Sequence, residues 1–275
     1  MILGTLNVVS FISLLFITAL GLAVIFGVMG VVNLAHGEFI MMGAYVSYLV
    51  AHNGLPVLIS LMVAPVIVGL FALLLEPFLF RHLYGKLMES ILATWGLSIA
   101  LRQAFLLGFG GGYKSVPYPT DATINVLGTD FSLYRLFVVA LAVLLGASIW
   151  VIEGWTNLGT TARAVMSNAQ LASALGVNTN RIYAGTLVTG AALAGLAGAV
   201  LAPLTSAYPT MGLSFLTNSF FAVLVGGLGS LPGLVFAAIS LGGSDELTAI
   251  LVDPVWGSVV LVVVALVLVR LRRTV

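Results

Sequence analysis

Apolar runs of about twenty residues recur from one end of this 275-residue chain to the other, and each is long enough to cross a bilayer as a helix. Backbone groups in lipid must satisfy their own hydrogen bonds, so such runs fold as helices. The reading is therefore all-α: a polytopic transmembrane bundle of about eight to ten helices, with broken or re-entrant segments allowed, in one domain over 1–275. Spans are expected near 8–29, 33–51, 56–80, 88–109, 133–152, 182–206, 215–229, 233–251 and 255–270. The 215–229 piece is short for a crossing, and the glycine-rich joint Val225–Leu234 is a candidate broken or re-entrant element. Only 7% of residues are charged, against roughly a quarter in soluble domains. No basic patch is large enough to follow nucleic-acid phosphates. Cysteine is absent, which excludes a disulfide framework and cysteine-ligated metal. The N-terminus lacks a basic n-region and a small-residue cleavage site, so it reads as the lead-in to a first span, not as a signal peptide. No soluble domain is expected at either end.

Basic residues in short loops set the orientation. Arg81 and Lys86, then Arg163 and Arg181, then Arg270, Arg272 and Arg273 fall on one side if the spans alternate. That side is read as cytoplasmic, with the N-terminus outside and the C-terminus inside a cell (inner) membrane. The segment 110–132, rich in Pro and Gly turn signals, is placed outside.

The least membrane-like stretch is "GTTARAVMSNAQLASALGVNTNRI", from Gly159 to Ile182. Val165, Ala169, Ala172 and Leu175 share one helical face, and Arg163, Ser167 and Gln170 another. Thr160 or Thr161 is a candidate cap and Gly176 a candidate stop. The expectation is one short cytoplasmic helix, Thr161 to Leu175, between two spans. The alternative is a helix resting on headgroups, but the small Ala-rich face carries no Trp or Phe anchor and suits a protein groove better.

Within "GVMGVVNLAHGEFIMMGAY" three polar residues, Asn33, His36 and Glu38, break an apolar run. Two readings stand side by side. Asn33 caps the second span and Glu38 complements its positive end, all near the inner face; or His36 or Glu38 touches substrate or gates the inner mouth, which makes Asn33, His36 and Glu38 candidates for the translocation path or gate. Charges inside membrane helices are costly and persist where they pair or line a cavity. Arg102, Asp245 and Glu246 all fall in outer halves of spans and are a candidate ion pair, unless Arg102 snorkels to headgroups. Glu76 is expected to pair locally with Arg81. Thr94, Trp95 and Ser98 are possible cavity-lining groups, and Gly190, Ala194 and Gly198 form a small-residue ridge suited to close packing. No metal site is read: there is no H-E-x-x-H arrangement, and His36 and Glu38 are two residues apart and face apart on a helix.

These same stretches carry a family resemblance. "GVMGVVNLAHGEFIMMGAYVSYLV" closely resembles the first block of the branched-chain amino-acid permeases of bacterial ABC importers, shared by the urea-type permeases. "ARAVMSNAQLASALGVNTNRI" resembles their coupling segment, usually R-A-x-x-x-[ND]-x-x-x-A-x-x-x-G-[IV]-[ND], here about 159–181. "GLAGAVLAP" and "LVGGLGSLPG" resemble two later blocks, so the likeness runs from about residue 8 to 270 in family order. The chain departs at its end, where "VRLRRTV" stands in place of an R-P-Q-G-like tail. The resemblance implies a permease without cofactor that works with a second permease, two cytoplasmic ATPases and an extracytoplasmic substrate-binding protein. It assigns Arg163, Val165, Ala169, Ala172, Leu175 and Gly176 to ATPase coupling. The chain has no G-x-x-x-x-G-K-[ST] phosphate loop of its own. The expected cargo is a branched-chain or other apolar amino acid, or urea or a short amide. A stand-alone secondary transporter or channel, which would need mid-membrane ion sites, is the second class. An intramembrane enzyme, the third, would need a nucleophile–base pair or paired acids that the few polar residues do not form.

Overall fold

The computed structural model describes residues 2–120, 122–126, 129–227 and 229–272. Arg273, one of the residues used for orientation, lies outside them. Seven helical segments among the described residues are long and apolar enough to cross a bilayer. They are α1 (Ile2–Met29), α3 (Ser60–Leu75) with the 3-10 turn before it, α4 (Leu87–Phe109), α5 (Leu133–Trp155), α8 (Thr179–Thr205), the continuous segment Leu231–Leu251, and α12 (Pro254–Arg272). Leu231–Leu251 is α10 (Leu231–Ala237), a π turn (Ala238–Gly242) and α11 (Gly243–Leu251). Two shorter helices, α2 (His36–His52) and α9 (Met211–Gly226), lie where the other two passages were expected.

The second passage differs from its expectation. It does not begin as a helix at the inner face. Gly30, at φ +61°, turns the chain back at the end of α1, in a left-handed conformation that glycine adopts without Cβ strain. Residues 31–35 then climb without helical structure before α2 starts. Of the 17 residues of α2, 13 are buried, enclosed mainly by α3, α8 and α9. Lipid supplies little hydrophobic drive between helices, so their contact relies on close packing of small residues. That is how α2 meets α8: a Cβ on Gly43 would overlap the Gly195 carbonyl, and one on Gly198 the Ile40 carbonyl. The Gly190–Ala194–Gly198 ridge is a packing surface, buried along its length.

The joint between α9 and α10 is a tight turn, with Gly226 against Gly233 and Gly229 against Gly27; Leu228, within the joint, lies outside the described residues. The π turn, Ala238–Gly242, interrupts the α-helical pattern further along this part of the chain. An unforeseen antiparallel hairpin, β1 (Thr123–Val126) with β2 (Thr129–Ser132), closes the 110–132 loop. The polar segment forms two helices, α6 (Asn157–Ser167) and α7 (Ala169–Ala174), rather than one. Asn168 is extended (φ −160°, ψ 100°) and its side chain accepts from the Leu171 N–H at 2.9 Å, which ends α6 and caps α7. The cap of α6 is Thr156, accepting from the Gly159 N–H at 3.2 Å, not Thr160 or Thr161. Gly176, at φ +91°, does end the segment.

Candidate functional site

The non-helical stretch before α2 carries backbone groups without intrahelical partners to membrane depth, where each needs a partner. α4 supplies them. Its buried residues are Ser90, Thr94 and Ser98, one turn apart on one face, and Arg102 continues the row. The Leu34 N–H donates to Thr94 Oγ1 at 3.0 Å, and the Thr94 hydroxyl donates to the Ser90 carbonyl at 2.6 Å. Asn33 Oδ1 accepts from the Ala35 N–H at 3.1 Å. The helix cap is Ala35, without a side-chain bond, so Asn33 closes the turn before the helix instead of capping it.

His36 Nε2 sits 3.1 Å from the Thr18 carbonyl. A carbonyl only accepts, so Nε2 carries a proton. Thr18 lies well inside α1 and Ser98 near the middle of α4, so the helix start sits at mid-depth and not near the inner face. Glu38 Oε1 accepts from Ser98 Oγ at 2.9 Å and from an Arg102 guanidinium nitrogen at 2.8 Å. Arg102 is thus paired with Glu38, and Asp245 and Glu246 are not its partners. The sequence reading failed here because it placed Glu38 at the inner face and Arg102 in the outer half. Bringing the start of α2 up to mid-depth removes that separation. Asn33 Nδ2, His36 Nδ1 and Glu38 Oε2 are buried without a hydrogen-bond partner among the described residues. Gly212, at the start of α9, packs on Gly37 so closely that neither position has room for a Cβ.

Of the candidate path residues, Asn33, His36, Glu38, Thr94 and Ser98 therefore form one buried cluster, joined by Arg102. Trp95 points away from it and is exposed. Sequence reasoning missed Thr18, whose contribution is a backbone carbonyl and leaves no side-chain signal. It also missed Ser90, although the four-residue spacing of Ser90, Thr94, Ser98 and Arg102 was readable. Asp245 is buried with its carboxylate against Gly257 of α12, while Glu246 faces a cavity beside α1. No group of three or more His, Asp or Glu among the described residues is placed to hold a metal.

The coupling residues divide differently from the expected face. Val165 and Ala172 are only 2% and 4% exposed, turned into the protein where α6 meets α1 and α8 and α7 meets α8. Leu171 and Leu175 are 58% and 78% exposed. The small face therefore serves this chain's own fold, and the outward surface is Leu171, Leu175 and their neighbours. Ala169 is half-buried between the two, and Arg163 folds back to donate to the Glu153 carbonyl. Met166 of α6 lies against Gly27 and Gly229, so α6 touches both the end of α1 and the α9–α10 turn. On the same side Glu76 does pair with Arg81, at 2.9 Å, and accepts from Tyr84 at 2.7 Å. Burial pushes the Glu76 carboxyl up, but the bonds from Arg81 and Tyr84 outweigh this and hold it below its usual value.

Residues 4–269 match the family described as "Branched-chain amino acid transport system / permease component". The chain is 29% identical over 250 residues to the high-affinity branched-chain amino acid transport system permease protein BraD of Pseudomonas aeruginosa, covering 84% of this chain and 80% of that one. It is 29% identical over 252 residues to the probable branched-chain amino acid transport permease protein LivH of Methanocaldococcus jannaschii, with 86% and 77% covered. A further relative is the high-affinity branched-chain amino acid transport system permease protein LivM of Escherichia coli, 27% identical over 271 residues, with 89% and 63% covered. No solved structure matches.

Proposed function

The chain belongs to the branched-chain amino acid transport system permease family, and from that premise we propose that it is the membrane-spanning subunit of an ATP-driven importer of branched-chain amino acids in the cell's inner membrane. The observation that carries this reading is the family match over residues 4–269. As a transport component it moves a solute and makes no bonds. ATP hydrolysis belongs to two separate cytoplasmic ATPases, in keeping with the missing phosphate loop, and the solute arrives on an external binding protein. Similarity to relatives named both LivH and LivM is what one half of a pair of related permeases would show. The basic residues on α6–α8 and at the end of α12 support a cytoplasmic position for those segments and an outside N-terminus.

In this reading α6 and α7 present Leu171 and Leu175 to the ATPases. Movement passes through Met166 to the end of α1 and the α9–α10 turn, and along α1 to the Thr18–His36 contact. The start of α2 is the element that changes state. It is anchored by a few directional bonds, from Thr94, Thr18, Ser98 and Arg102, and keeps buried polar atoms available for a second set of partners. Unpaired buried polar groups destabilise a single fixed arrangement, which suits alternating access.

Reconstitution with the two ATPases and the binding protein in proteoliposomes tests the proposal. Leucine uptake should require ATP and every partner, and urea should not replace leucine. Uptake by the permease alone, without ATP, would instead establish a stand-alone transporter or channel.

A further inference from the structure

Between α1, α5, α8, α9 and α11 lies an open cavity of about 230 Å³. That is smaller than the roughly 300–1,000 Å³ of drug-sized sites and suits a single small solute. Phe11, Leu14, Val138, Leu204 and Phe215 make its sides apolar. Two charges of opposite sign face it from different walls, Arg135 on α5 and Glu246 on α11. Arg135 donates to Asn7 Oδ1 at 3.0 Å. Among the described residues neither Arg135 nor Glu246 forms an ion pair, with the other or elsewhere. Unpaired charges in membrane helices persist where they line a solute pathway. The cavity runs along α1 from Asn7, near a helix end, to Thr18, whose carbonyl holds His36. Its deep end therefore abuts the polar junction at the start of α2.

A complementary ligand carries an anionic and a cationic group on one end and a short apolar body on the other. Resting on the importer reading above, we propose that this cavity binds the zwitterion of a small aliphatic amino acid in transit, with the Arg135 guanidinium on its carboxylate and the Glu246 carboxylate on its ammonium. A guanidinium matches a carboxylate with two parallel bonds, and the branched side chain packs against Phe11, Leu14 and Phe215. Uncharged urea would leave both charges without a partner, so the site selects against it.

The test uses the assembled transporter in its membranes and a diazirine analogue of leucine as the probe. Irradiation should place adducts on peptides containing Phe11, Leu14 or Phe215. Excess leucine should compete, whereas isopentylamine and 4-methylpentanoate, each lacking one charge, should compete weakly. Arg135→Gln and Glu246→Gln should each cut labelling by about tenfold or more, the loss of one charge-assisted contact. Leu14→Trp, which fills the cavity and spares both charges, should cut it as well, so the result does not hinge on one variant's folding. Labelling unchanged in both charge variants, or equal competition by isopentylamine, overturns the site. Leucine uptake measured on the same membranes separates the two readings. Uptake without adducts overturns the site and leaves the importer; adducts without ATP-dependent uptake leave the site and overturn the importer.

Discussion

The bond from Arg102 to Glu38 joins the peripheral α4 to the central α2, and its worth is best seen by removing one end. Glu38 is buried, and stripping a buried ion of its partner typically costs about 3–5 kcal/mol. Arg102 keeps 24% of its side chain exposed, so solvent reduces the loss toward the lower end. Arg102→Ala should lower the melting temperature of the purified protein more than the Arg102→Ala/Glu38→Gln double variant does, and Arg102→Ala should be additive with Asp245→Asn. Coupling to Asp245 in the cycle would contradict the pairing. Glu76 makes a second residue-scale prediction. Its folded value lies below the ordinary 4.5, so its contribution is complete above that value and fades as pH falls through the lowered one. Glu76→Gln should cost about 1.5–3 kcal/mol at neutral pH and should make the acid side of the stability profile shallower. An unchanged profile would mean that Arg81 and Tyr84 contribute nothing in solution.

At the scale of elements, the α6–α7 pair separates folding from coupling. Ala172 is packed inward, so Ala172→Glu buries an unpaired charge and should reduce expression or thermal stability by several kcal/mol. Leu175→Glu and Leu171→Glu change an outward surface. They should leave folding within about 0.5 kcal/mol of the parent while abolishing co-purification with the ATPases or uncoupling hydrolysis from transport. Normal transport by both leucine variants would remove that surface from the coupling path. The same logic applies to α2 and α8, whose backbones touch at Gly198. Gly198→Val has nowhere to place its side chain and should prevent accumulation of folded protein, even though valine is at home in lipid-facing helices.

For the whole molecule, the proposed topology of nine passages would put the chain's ends on opposite sides of the membrane. The absence of cysteine makes single-cysteine labelling clean. Ser115→Cys should react with an impermeant thiol reagent added to intact cells, and Asn168→Cys should react only after permeabilisation. The reverse pattern would invert the topology and move α6 and α7 away from any cytoplasmic ATPase.

The all-helical class, the long spans and the Glu76–Arg81 pair were all readable from the chain. Helix length, lipid solvation and five-residue proximity are local or compositional constraints, and they act before any tertiary contact forms. The depth of Asn33, His36 and Glu38 was not readable. Six residues after Met29 can either turn at the membrane face or climb back along α1. The choice depends on whether a neighbouring helix can satisfy their backbone, and Thr94, some sixty residues away, does so. The partner of Arg102 followed from that choice. So did the inward turn of Val165 and Ala172, because amphipathic spacing shows that a helix has two faces and only packing against α1 and α8 decides which face is hidden.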